Sequence, residues 1–145
     1  MAVFVNGQLE RFNLLLSEID GVYHEAALKM ELSDSAMMVL YTVCSHGDSC
    51  FLSDITHMSG VSKQTINSAL RKLEADGVIY LETWGARKKK VYLTEHGRQL
   101  AETTVHRLIA IENSIFDSWS EEEKKFYMDL TQRYLTALEE KVKEL

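Results

Sequence analysis

From Phe51 to Gly97 the chain packs two short helical patterns, a hairpin and a capping signal into one stretch. Ser53 is placed to cap a short helix with Ile55 and Met58 directed inward, and Ser59-Gly60 forms a turn. Ser62 caps the next helix, which runs to about Asp76 and stops at Gly77. Val78 to Trp84 has β character, and Val91 to Leu93 returns as its partner strand. Gly85-Ala86-Arg87-Lys88-Lys89-Lys90 is then expected at the hairpin tip. Few folds accommodate a helical pair closed by a basic hairpin. The arrangement suits a nucleic acid duplex, with a helix in the major groove and the tip at the backbone or minor groove.

The flanks read as helical supports. The chain has no proline and few glycines, which suits long helices and tight turns. Leu9, Phe12, Leu16, Ile19 and Tyr23 recur at three- and four-residue spacing, so a first helix is expected from roughly Asn6 to Lys29. Ser33 or Asp34 caps a second helix carrying Met37, Leu40, Tyr41 and Cys44, and His46-Gly47-Asp48 ends it. Phe51-Leu52 is expected as a short strand beside the hairpin. Thr94 caps a fifth helix running towards Phe116. Ser120 caps a sixth, with Glu123 completing a capping box and Phe126, Leu130, Tyr134, Leu138 and Val142 forming an apolar stripe. The stripes of the first and last helices exceed what a small core can absorb, which points to a second subunit.

Bulk properties exclude several classes. At 145 residues and 46% hydrophobic, the chain can bury one real core. No apolar run reaches the length of a membrane span and no signal peptide is apparent, so a cytoplasmic protein without membrane contact is expected. The net charge is −6, yet Ser53 to Leu93 carries seven positive residues against four negative, a net of +3. An acidic body with one basic segment restrains nonspecific DNA affinity and leaves a single face to bind. Cys44 and Cys50 form no metal or disulfide pattern; Cys44 is expected in the core and Cys50 at an accessible site. His24, His46, His57, His96 and His106 are scattered. Glu102 and His106, joined by His24, are the one metal set considered, and no metal or cofactor is expected. There is no nucleophile elbow, phosphate loop or zinc-protease motif, and Glu121-Glu122-Glu123 reads as a dipole-favoured helix start, so an enzyme is not expected.

The second helix of the pair carries the specific signal. Ile66, Ala69, Leu70 and Leu73 fall on one face, and Gln64, Asn67, Ser68 and Arg71 fall opposite. Gln and Asn suit adenine, Arg suits guanine, and Ser and Thr suit several edges or phosphates. Ser62, Lys63 and Thr65 at the helix start, with Arg87, Lys88, Lys89 and Lys90 in the hairpin, complete the candidate DNA-binding set. A protein-binding adaptor is the alternative, but it would place apolar or acidic residues on these surfaces. A redox- or metal-responsive regulator is a further one.

These residues resemble the MarR family of bacterial winged helix-turn-helix regulators. Val61-Ser62-Lys63-Gln64-Thr65-Ile66 resembles the start of that family's recognition helix, and Leu73-Glu74-Ala75-Asp76-Gly77-Val78-Ile79 its exit. Arg87, Val91, Leu93-Thr94 and Gly97 match the spacing of its wing. The resemblance covers about Ser33 to Gly97 in motif and the whole chain in helix order. It implies a mainly α fold: a winged-helix lobe at residues 33–97 with a small β-hairpin wing, and dimerisation helices at 1–32 and 98–145. It also implies a triangular homodimer, a near-palindromic operator, repression, and release by a small, commonly aromatic ligand. Phe12, Tyr23, Met38, Tyr41 and His106 are the candidates for lining that ligand's site. One position departs: Gly85 stands where the family places an Asp, two residues before Arg87. A looser tip is therefore expected, with Lys88 to Lys90 substituting charge for geometry.

Overall fold

The computed structural model describes residues 2–145. Its elements are α1 (Gly7–Lys29), α2 (Asp34–Ser45), β1 (Ser49–Phe51), α3 (Leu52–Ser59), α4 (Lys63–Ala75), β2 (Ile79–Trp84), β3 (Lys88–Leu93), α5 (Glu95–Thr103), α6 (Val105–Asp117) and α7 (Glu121–Val142). The fold is mainly helical, with one three-stranded antiparallel sheet in the order β1-β3-β2. The chain divides into two compact units, one ending at Leu108 and one starting at Ile109.

The first unit holds the core. Val39, Leu40 and Val43 of α2, Ile55 of α3, Ile66, Leu70 and Leu73 of α4, and Ile79, Val91 and Leu93 of the sheet are all buried. The inward face of α4 is the one its periodicity predicts. Ser33 and Ser62 cap α2 and α4, their hydroxyls accepting from Ala36 N at 3.1 Å and Thr65 N at 3.2 Å. Thr94 caps α5 and also clamps it to the exit of α4. Its hydroxyl accepts from Gly97 N at 2.9 Å and donates to the Gly77 carbonyl, and its N–H reaches Val78 O at 3.0 Å.

Five local expectations are corrected. α3 starts at Leu52, not after Ser53, because the Asp54 carboxylate accepts from Phe51 N at 3.0 Å and makes Phe51 the cap. The short strand accordingly runs from Ser49 to Phe51 and excludes Leu52. Met58 is 52% exposed because α3 is short and only Ile55 reaches the core. Cys50 is buried, since its side chain lies on the core face of β1 beside Val91. Finally, the single helix expected from Thr94 towards Phe116 is broken at Thr104. There the Thr104 hydroxyl takes the Leu100 carbonyl at 2.6 Å, while Thr104 N turns to Ala101 O at 3.2 Å. The side chain has displaced the backbone donor that would have continued α5.

In the second unit, α7 opens with the capping box read from the sequence. Ser120 Oγ accepts from Glu123 N at 3.1 Å, and Glu123 Oε1 accepts from Ser120 N at 2.8 Å. That backbone bond holds the Glu123 carboxyl below its ordinary range. Phe116, Trp119 and Tyr127 pack ring against ring, with centroids 4.9 to 6.2 Å apart. No residue of α7 is buried, and Phe126, Leu130, Tyr134 and Leu138 are about half exposed or more. On α1, Phe12, Leu16 and Ile19 are similarly exposed. No helix among the described residues is long and apolar enough to cross a membrane.

Candidate nucleic-acid interface

Two surfaces meet here: the outer face of α4 and the helix-facing side of the wing. Gln64, Asn67, Ser68 and Arg71 are all exposed, directly opposite the buried row of α4. Lys63 and Thr65 are exposed beside them. Ser62 is spent on structure, since its oxygen caps the helix and lies 3.0 Å from Thr65 Oγ1. Unlike α1, α2, α3 and α5, α4 has no acid in its first turn and carries Lys63 there. Its positive dipole end is thus left unneutralised.

The hairpin is tighter than its sequence suggests. Only Gly85, Ala86 and Arg87 form the turn, because Trp84 pairs with Lys88 and the lysine run is already strand β3. Gly85 has φ +66°, a left-handed conformation that suits glycine and that most side chains resist. Gly85 is therefore also a conformational requirement of the turn.

Strand alternation then sorts the lysines. Lys89 shares a face with Val91 and Leu93, the face turned towards the helices. Lys88 and Lys90 share the opposite face with Tyr92, but Lys88, next to the turn, reaches round to the cleft edge, its ammonium 5.7 Å from the centre of the Phe51 ring. A cleft of about 430 Å³ lies between wing and helices, lined by Phe51, Leu52, Ser53, Thr56, Lys63, Asn67, Arg87, Lys88 and Lys89. Five of the candidate residues, Lys63, Asn67, Arg87, Lys88 and Lys89, thus converge on one concave basic surface. Lys90 does not join them. Its ammonium lies 4.7 Å from the Trp84 ring centre, 5.3 Å from Tyr92 and 5.4 Å from Phe51. Phe51, Leu52, Ser53 and Thr56 complete the lining, and neither charge nor the outward face of α4 singles them out in the sequence. Assigning β3 three residues earlier would have exposed the alternation.

The sequence model of the MarR family matches residues 31–84, the span from the end of α1 to the wing. A MarR family regulator from Neisseria meningitidis has the same fold over 96% of this chain and 99% of its own, with TM-score 0.83 and 20% identity. MepR of Staphylococcus aureus, solved in complex with DNA, matches with TM-score 0.67 and 22% identity over 94% of this chain and 99% of its own. BpsR of Bordetella bronchiseptica, whose DNA binding is regulated by 6-hydroxynicotinic acid, matches with TM-score 0.62 and 22% identity over 86% and 98%. A MarR-family sequence signature thus spans α2 to β2, and the chain has the fold of these MarR family regulators. No curated protein sequence matches it.

The five effector candidates lie in different settings. Tyr23 and Tyr41 are half-buried against the core, and Met38 is half-buried on α2. Phe12 and His106 are exposed on α1 and α6. His24, considered with Glu102 and His106, instead places Nδ1 2.9 Å from both carboxylate oxygens of Asp34. Among the described residues no three His, Cys, Asp or Glu side chains gather as a metal site.

Burial makes both thiols poor nucleophiles. It pushes Cys44 from the ordinary 9.0 up to about 11, with Asp48 adding to the effect. Cys50 rises to about 12, through burial first and then Asp54. Their neutrality favours the folded chain fully below pH ~9, and that advantage is lost as pH rises through the raised values. At pH 8 the native protein is expected to react with a thiol-disulfide reagent at least about 100-fold more slowly than the urea-unfolded chain. A fast native thiol in that assay would restore a redox role.

Proposed function

We propose that this chain is a MarR-family, sequence-specific DNA-binding transcriptional regulator of the cytoplasm that represses from a near-palindromic operator as a homodimer. The observation that carries this reading is the convergence of the polar face of α4 with the basic cleft under the wing. A helix with Gln, Asn, Ser and Arg outward has the donors and acceptors that base edges need, and the cleft supplies phosphate contacts on its flank. MepR with its DNA supports the partner, since the shared fold provides the same two elements. The exposed apolar stripes of α1 and α7 support the homodimer, because surfaces of this kind are normally covered by a second chain. Release by a small aromatic molecule is the matching proposal for Tyr23 and Tyr41, with Phe12, Met38 and His106 contributing, and regulated BpsR supports it.

A gel shift against the chain's own upstream DNA, with a scrambled duplex as control, tests the reading. Within it, Gln64→Ala and Arg71→Ala should each weaken specific binding by about 1–3 kcal/mol and relax preference at one operator position. Unchanged affinity and preference in both variants would remove the outer face of α4 from the interface.

A further inference from the structure

We infer that Lys90 is a positioning residue: caged by Phe51, Trp84 and Tyr92, it locks the wing to the start of α3 and so sets the width of the basic cleft. The inference deepens the DNA-binding reading and rests on it.

The cage follows from the register. Phe51 of β1 lies directly across from Lys90, and Trp84 of β2 lies directly across from Lys88. Lys88, Lys90 and Tyr92 alternate onto the face of the sheet away from the core. Trp84 and Phe51 meet edge to face, with centroids 6.1 Å apart and planes at 88°. Tyr92 stacks on Tyr80 at 5.0 Å, which fixes the third wall. An ammonium set among three ring faces is held electrostatically by their quadrupoles, and Trp is the strongest of the three.

The consequence for the cleft comes through Phe51. That residue ends β1, caps α3 and lines the cleft, all within one position. Trp84 immediately precedes the turn that carries Arg87. Lys90 therefore ties the root of the turn to the cap of the helix pair. Freeing it lets the turn swing relative to α3 and α4 and mismatches Arg87, Lys88 and Lys89 with Lys63 and Asn67. Lys89, without a ring partner among these contacts and on the cleft face, is the natural contrast: it offers its charge to phosphate.

The full-length protein is tested with a duplex selected from a randomised pool and with its scrambled counterpart, across a salt series. Lys90→Met should lower affinity for the selected duplex about tenfold, reduce the selected-to-scrambled ratio, and leave the salt slope unchanged. Lys90→Arg should restore the ratio, because a guanidinium also stacks on rings. Trp84→Leu should repeat the Lys90→Met result, and it carries the test if Lys90→Met fails to fold. Lys89→Met should weaken both duplexes equally and shrink the slope by roughly 0.9. In the free wild-type protein, the side-chain methylene protons of Lys90 should resonate upfield of those of Lys89, from the ring currents of the cage. Absence of that upfield shift overturns the cage. A Lys90→Met variant that behaves like Lys89→Met makes Lys90 a phosphate contact and overturns positioning alone. A wild-type protein that selects no duplex overturns the DNA reading, and the positioning role falls with it.

Discussion

Gly97→Ala is expected to lower stability by about 3 kcal/mol or more and the midpoint of thermal unfolding by roughly 10 °C. A Cβ at Gly97 would sit 2.0 Å from the Val78 carbonyl oxygen, 3.0 Å from its carbon and 3.3 Å from a Leu93 methyl. Two of these three obstacles are backbone, so no rotamer change can relieve them. The first turn of α5 must back away from the exit of α4, and the paired bonds from Thr94 to Gly77 and Val78 go with it. Gly21→Ala supplies the opposite sign. Gly21 lies inside α1 with nothing within 4 Å of a new Cβ, so alanine there should stabilise by about 0.5–1 kcal/mol. Thermal melts of the two variants beside wild type decide the matter. A Gly97→Ala protein that melts with wild type would mean that α5 does not dock on Val78 in solution.

Removing everything after Ser120 should abolish the dimer while sparing the winged-helix core. Every buried apolar residue lies at or before Val105, and α7 contributes none. Folding of the lobe therefore does not need α7. Association does, on the proposed reading, because Phe126, Leu130, Tyr134 and Leu138 are the stripe offered to a second copy. Loss of the link between two half-site binders should lower operator affinity by about 10²–10⁴-fold. Sedimentation and a titration against the operator give both numbers. A truncated chain that still sediments as a dimer would place the subunit contact elsewhere.

Helix faces and caps were legible in the sequence because each rests on local chemistry. Ser33, Ser62, Thr94 and Ser120 cap where a hydroxyl precedes an apolar period, and Ile66, Ala69, Leu70 and Leu73 are buried as their spacing requires. The misreadings fall where a side chain competes with the backbone or where strand length matters. Thr104 breaks a helix by taking a carbonyl, although the run Thr103-Thr104-Val105 carried the β-branched warning. Asp54 moves the start of α3 by two residues, from after Ser53 to Leu52. The basic hairpin was identified, but the three lysines were assigned to a loop, so their division between two faces was invisible. Cys50 looked accessible from its polar neighbours because burial there is decided by pairing with Val91, a partner distant in sequence.

The division of Lys88, Lys89 and Lys90 between opposite faces makes the wing sensitive to parity and not to composition. Substituting one lysine changes one contact. Inserting a single residue between Lys90 and Val91, whose burial fixes the register of β3, would shift each lysine by one step, sending Lys89 to the face of the rings and turning its two neighbours towards the helices. The chain would keep its charge, its length within one residue and its lysine run, yet present a different surface. Alignments that score this segment by counting basic residues will therefore group together wings that touch their partners with different side chains, whereas the number of residues between Trp84 and the first buried position of β3 separates them.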